Sequence, residues 1–357
     1  MRKFRLLLAV VVTVSLLTPV VAAGQQGSGP PQFSQAALQS VIATQERYTP
    51  QLVGTPLVVG TGVSVDASGR GVVKVYTRSA GARGIPPRLD GVPVVVQVTG
   101  EFFALQQANG KGNGKGGGNG GGNGKGKGNG GGSSFDRTAR YRPAPIGVST
   151  GHPDITAGTI GARVRDAGGN LYALSNNHVY ANVNAANIGD NVLQPGTYDG
   201  GQDPADAFGT LFNFEPLLPG IFDVNYIDAA IALSSAGELD NGTPPDGYGI
   251  PRTQIVAPAI NMPVMKYGRT TGFTTGNISD INVFTIVGYG PDYYLWFDGQ
   301  IMISGNGFSA GGDSGSLIVD NDRHPVGLLF AGSDTSTLAN PIAFVLAAFN
   351  VTIDGEG

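Results

Sequence analysis

An all-β fold is predicted for the larger, C-terminal part of this 357-residue chain, and three observations predict it. From residue 146 onward the apolar runs are short and are broken by Gly, Asn, Asp and Pro, the residues that turn the backbone between strands. Glycine is abundant, 58 residues in all, which disfavours helix and suits turn-rich β structure. Long helical periodicity is missing except near 341–349. Strands are expected at 159–165, 171–174, 228–233, 263–267, 283–287, 294–297, 299–303, 317–319 and 326–330.

A smaller α/β module is expected upstream. Ala37, Leu38, Val41, Ile42 and Tyr48 recur at helical spacing behind Ser34, a plausible N-cap, so 34–48 reads as one amphipathic helix. The segments 57–66 and 71–77 alternate apolar with small or polar residues around Ala67-Ser68-Gly69, a hairpin pattern, and 92–99 reads as a further strand. This module, 24–106, has no His and few acids, hence no catalytic equipment. A folding appendage, a pro-region, partner docking and substrate capture all remain open for it.

Two segments read as lacking a fold of their own. Residues 1–23 have a basic start (Arg2, Lys3, Arg5), an apolar run over 6–21 and Val21-Ala22-Ala23, the pattern of a secretory signal cut after Ala23. The expected location is therefore secreted or periplasmic. Residues 107–134 are expected to be a flexible linker, since 109–132 hold only 15 Gly, 5 Asn and 4 Lys and can bury nothing. The linker has no Walker spacing for phosphate and is open to proteolytic nicking.

Composition removes several chemistries. With no Cys there is no cysteine nucleophile, thiolate zinc site, iron–sulfur cluster or disulfide. Three His (His152, His178, His324) are too few for a His-rich metal site, and no cofactor or metal is expected. Asp190, Asp199, Asp203 and Asp206 lack EF-hand spacing and read as solvated loops rather than a calcium site. Residues 135–357 carry nine Lys/Arg against 22 Asp/Glu, the wrong balance for nucleic acid. No membrane association is expected once the signal is removed. The oligomeric state stays open.

The chemistry gathers at Gly311-Gly312-Asp313-Ser314-Gly315-Ser316, between two apolar runs. Glycines there let the backbone turn tightly beside a hydroxyl and leave amides free to face a ligand. A Ser hydroxyl needs a base within hydrogen-bond reach. His178, in Leu174-Ser-Asn-Asn-His178-Val-Tyr, sits at the end of an apolar strand. A base needs an acceptor on its other nitrogen. Asp228 leads straight into the apolar run Ala-Ala-Ile-Ala-Leu, whereas the competitor Asp223 does not. His152 and His324 have Pro neighbours and read as surface or turn residues.

These motifs, in the order His178, Asp228, Ser314, resemble the chymotrypsin/trypsin-like serine peptidase family over roughly 146–353. Asn-Asn-His-Val resembles its disulfide-free bacterial branch. Asn-Asn-His-Val-Tyr and Gly268-Arg-Thr-Thr-Gly272 resemble the narrow-leaf-like trypsin-like proteins. The resemblance implies a chymotrypsin-like double β-barrel over 135–357 with the site between the barrels. It implies a secreted serine endopeptidase with a peptide or protein substrate, working through a His178–Asp228–Ser314 catalytic triad, with His178 near hydrogen-bond distance of both Asp228 and Ser314, more loosely where no substrate is bound. The amides of Gly312 and Ser314 would form the oxyanion hole, and Asp313 would brace the loop by an ion pair. The substrate pocket falls on Phe308, Phe330, Ala331 and Gly332, where Phe330 and Ala331 replace the family's usual Ser and Trp. The absence of an acid at 308 argues against cleavage after Lys or Arg and for a small or medium apolar residue. Ile146 could act as a new N-terminus pairing with Asp313. Two other readings stay open: a non-cleaving, peptide-binding pseudopeptidase, and self-directed nicking at the flanks of the linker, near Leu105 or Phe135.

Overall fold

Six antiparallel strands close on themselves in the C-terminal half. Pro263–Gly268 pairs with Gly272–Gly290, which pairs with Tyr293–Ser304. Ser336–Pro341, Pro325–Gly332 and Leu317–Asp320 follow, and the last returns to Pro263–Gly268. Val264, Ile278, Ile301, Ile303, Phe308 and Leu329 belong to the core of this barrel. The computed structural model describes residues 34–105, 135–220, 223–305 and 307–357, so the expected signal and linker lie outside the described residues.

A second set of strands runs Asn191–Leu193, Ala207–Phe214, Ala230–Ser234, Leu171–Ser175, Ala162–Arg165 and Thr352–Ile353. The pair Ser149–Thr150 and Gly158–Thr159 leads into Ala162–Arg165, and a bridge from Gly151 to Leu193 closes the circuit. Ile146, Val148, Ile160, Tyr180, Val192 and Leu211 pack together in its core. Leu174 and Ile231 from this barrel meet Leu317 and Leu328 from the other, with Ile342 and Val345 of the helix Ile342–Phe349 completing the seam. The expected double β-barrel is therefore present, and two apolar cores plus a shared seam do the work that disulfides do in cysteine-rich domains.

Upstream, the helix Gln35–Val53 is longer than the predicted 34–48, and Ser34 caps it by accepting from the Ala37 amide at 3.2 Å. The hairpin Val58–Val65/Gly71–Thr77 forms as predicted, and Val92–Val98 adds to it in parallel. Its strand Val58–Val65 also pairs with Gly272–Gly290, so the hairpin extends the sheet of the C-terminal barrel. Lys74 reaches the buried Asp280 carboxylate at 2.8 Å across this junction.

Some strands escape sequence reading. Ser336–Pro341 is fully buried yet polar, because Asn340 spends its amide on Gln300 at 2.7 Å inside the barrel. The predicted 283–287 is only part of the 19-residue strand Gly272–Gly290, whose register is interrupted by bulges that break simple alternation. Phe102–Ala104 is too short to register as a pattern, and it pairs with both Gly272–Gly290 and Pro325–Gly332.

Candidate active site

Strand pairing brings His178 and Asp228 together. Ser175 lies opposite Ala230 in the antiparallel pair Leu171–Ser175/Ala230–Ser234. The chain leaves the first strand into the short helix Asn177–Tyr180 carrying His178, and it enters the second directly after Asp228. His178 Nδ1 donates to Asp228 Oδ2 at 2.5 Å, and the His178 amide donates to Oδ1 at 3.2 Å. Asn176 Nδ2 donates to the Asp228 carbonyl at 2.7 Å, and the Asp228 amide donates to Asn340 Oδ1 at 3.1 Å. His178 and Asp228 are both wholly buried. With Nδ1 committed to the carboxylate, Nε2 is the basic nitrogen. It is buried and has no hydrogen-bond partner among the described residues. Asp223, the sequence-level competitor, is exposed.

Tyr289 was not identifiable from the sequence. Its hydroxyl donates to Asp228 Oδ2 at 2.7 Å, and its ring stands edge-on to His178 with centroids 5.8 Å apart. Burial, and then the charge of Asp228, hold its pKa well above the ordinary phenol value, so it remains a donor. Tyr289 thus supports the Asp228 carboxylate. Tyr289→Phe removes one donor from a buried carboxylate and is expected to cost about 1.5–3 kcal/mol. Urea unfolding measures this as a lower midpoint at unchanged slope. An unchanged midpoint would mean that the carboxylate does not rely on Tyr289.

The loop carrying Ser314 is held from both barrels. The Thr159 amide donates to the Ser314 carbonyl at 2.8 Å, and Thr159 Oγ1 donates to the Gly312 carbonyl at 2.8 Å. Gly312 has φ +96° and Gly315 φ +94°. A Cβ at Gly315 would fall 2.2 Å from Ser175 Oγ, so only glycine lets the loop approach the His178 strand this closely. Asp313 Oδ1 accepts from the amides of Thr270 (2.8 Å) and Thr271 (3.1 Å), and Oδ2 from Thr271 Oγ1 (2.7 Å) and the Ala310 amide (2.9 Å). Buried Lys266 lies 3.5 Å from Oδ2 and also donates to Thr271 Oγ1. The Gly268–Gly272 motif is thus a cradle for Asp313.

In the uncut chain Ile146 is buried and its amide donates to the Gly242 carbonyl at 3.0 Å, and the cation beside Asp313 is Lys266. Ser314 Oγ does not bond to His178. It donates to the Phe330 carbonyl at 3.2 Å, an acceptor left open by the sheet pairing of Pro325–Gly332.

The expected cleft residues divide by role. The Gly312 amide, an expected oxyanion donor, donates to the Leu105 carbonyl at 2.8 Å. The Ser314 amide, the other expected donor, has no partner among the described residues. Phe308 is buried in the barrel core, and Leu105 packs against that core. Gly332 borders Leu105 closely, since a Cβ there would lie 3.4 Å from Leu105 Cδ1. Ala331 and Phe330 pack in a different core, with Phe330 4.8 Å from Phe297 between ring centroids. The Phe330 carbonyl accepts from Ser314 Oγ at 3.2 Å and from the Leu105 amide at 3.1 Å.

Asp190, Asp199, Asp203 and Asp206 and the other two histidines lie against protein groups. Asp199 pairs with Arg269, Asp206 with Arg140, Asp203 with Asn191 and Asp190 with His152 and the Asn187 amide. His152 is buried, not a surface residue: its Nδ1 accepts from the Asp154 amide at 3.1 Å. His324 sits in a turn beside Asp320 and Asp322, as expected, and these three could bring ligand atoms together. Asp320 Oδ1 is already spent on the amides of Asp322 and His324 in that turn.

No family model and no curated protein sequence matches the chain. Solved structures similar to it include Thermobifida fusca Protease A (17 % identity, TM-score 0.43, covering 59 % of this chain and 98 % of that one). A serine protease described as glutamic acid specific is similar at 19 % identity and TM-score 0.43, over 59 % of this chain and all of the other. A Cellulomonas bogoriensis chymotrypsin is similar at 17 % identity and TM-score 0.40, over 59 % and 98 % of the two chains.

Proposed function

We propose that the chain is a serine endopeptidase. The observation that carries the reading is the buried series Tyr289–Asp228–His178, which ends in an Nε2 with nothing to accept from among the described residues. A base oriented by a carboxylate and left open at its other nitrogen is what a hydroxyl nucleophile requires. Ser314 Oγ adds to the scissile carbonyl carbon and passes its proton to His178 Nε2. The carbonyl oxygen, now charged, is held by the amides of Gly312 and Ser314. The C–N bond breaks, and His178 returns the proton to the leaving amine. Water then repeats the addition on the ester and frees the acid. Asp228 orients the imidazole and stabilises its cation, while Asp313 and Lys266 keep the loop in place. The starting movement is a turn of the Ser314 side chain away from the Phe330 carbonyl. Work outside the cytoplasm is supported by the leader pattern in 1–23. No helix among the described residues is long and apolar enough to cross a membrane.

One observation favours a second reading, a peptide-binding module that does not cleave: the hydroxyl of Ser314 is bonded to Phe330 and not to His178. A fluorophosphonate probe separates the two. The expected result is covalent labelling of the native chain and none of Ser314→Ala. No labelling of a folded native chain would defeat the peptidase reading.

A further inference from the structure

Residues 102–105 of the N-terminal module lie in the cleft as an extended peptide. Ala104 is opposite Ala331 and Phe103 opposite Gly332, antiparallel, and the Leu105 amide donates to the Phe330 carbonyl at 3.1 Å. The other edge of the segment pairs in parallel with Gly272–Gly290, Phe102 with Val287 and Phe103 with Gly288. Bonding on both edges fixes the register, so the residue that reaches the nucleophile loop is Leu105 and no other. Its carbonyl oxygen meets the Gly312 amide at 2.8 Å. Its amide shares the Phe330 carbonyl with Ser314 Oγ, which sets the hydroxyl beside this residue.

The side chain fits the same arrangement. Leu105 is partly buried against the core that contains Phe308, Ile303 and Leu329, and it lies along Gly332. A branched apolar side chain fills this site, whereas a charged one would lose hydration against that apolar core.

We propose that the enzyme cleaves after leucine and that its first substrate is its own bond between Leu105 and Gln106. The proposal rests on the peptidase reading above. Ser314 Oγ adds to the Leu105 carbonyl carbon, its proton goes to His178 Nε2, and the oxygen stays on the Gly312 amide. The bond to Gln106 nitrogen breaks and that nitrogen takes the proton. One water then releases the Leu105 carboxylate and restores Ser314. The balance is one peptide bond and one water to one acid and one amine. While 102–105 stay in place, the open edge of Pro325–Gly332 is taken and no other peptide can pair with it.

The test uses the purified full chain, Ser314→Ala, Leu105→Met and Leu105→Glu, each read by intact mass and by fluorophosphonate labelling. The expected products of the native chain are one piece ending at Leu105 and one beginning at Gln106, with Ser314→Ala remaining joined. Leu105→Met is expected to be cut at the same bond and Leu105→Glu to stay joined there while still accepting the probe. In trans, a peptidyl-leucine p-nitroanilide should turn over about 100-fold faster than the glutamate counterpart. A native chain that accepts the probe but remains whole overturns the proposal and leaves the peptidase reading standing. Cleavage of Leu105→Glu at the same bond overturns it equally. A native chain that is neither labelled nor cut overturns the proposal, and if folded Leu105→Glu is also unlabelled the peptidase reading falls with it.

Discussion

Asp228→Asn is expected to lower kcat/KM by about 10⁴-fold while the chain remains folded. The argument follows from the partners of the carboxylate. Oδ1 accepts from the His178 amide, a donor that cannot change role, so an asparagine must keep its carbonyl oxygen there. Its NH2 then occupies the Oδ2 position and donates to His178 Nδ1, while Tyr289 can turn its hydroxyl to accept. Nδ1 becomes the acceptor and Nε2 carries the proton, so the imidazole can no longer take one from Ser314. Steady-state hydrolysis of a leucyl p-nitroanilide gives the measurement, with thermal unfolding as the control for folding. Retention of activity within tenfold would remove Asp228 from the proposed triad.

Lys266→Met is expected to destabilise the chain by about 3 kcal/mol, the low end for breaking a buried pair by removing one partner. Lys266 is wholly buried, and burial pushes its pKa down while the charge of Asp313 pulls it back up. Methionine fills the space of the stem but leaves the buried Asp313 carboxylate without a cation. Four hydrogen bonds to Asp313 survive, from Thr270, Thr271 twice and Ala310, and they keep the loss from being larger. The Gly312 amide is one residue from Asp313, so activity should fall with the loop. Denaturant unfolding reports the first effect and probe labelling of Ser314 the second. A variant as stable as the native chain would show that the hydrogen bonds alone hold the loop.

Legibility in the sequence followed the range of the interaction. The strand 326–330, the hairpin 57–77 and the helix behind Ser34 were readable because side-chain periodicity and caps are properties of neighbouring residues. His178 and Asp228 were readable because each borders an apolar strand, and the structure places them in contact at 2.5 Å. Ser314 and Gly312 were readable from the glycines around them. Tyr289 and Lys266 had no local mark: one is an aromatic among several in a strand, the other a lysine in an apolar run.

The sequence by itself determined the fold class, the absence of thiol chemistry and the loop that carries Ser314, because composition and short-range pattern are sufficient for those. Only the tertiary structure decided that Tyr289 supports Asp228, that Lys266 faces Asp313, and that the Leu105 carbonyl meets the Gly312 amide. Each of these depends on register between segments tens to hundreds of residues apart. A shift of one residue in β pairing turns a side chain to the opposite face, and nothing in the local pattern records it.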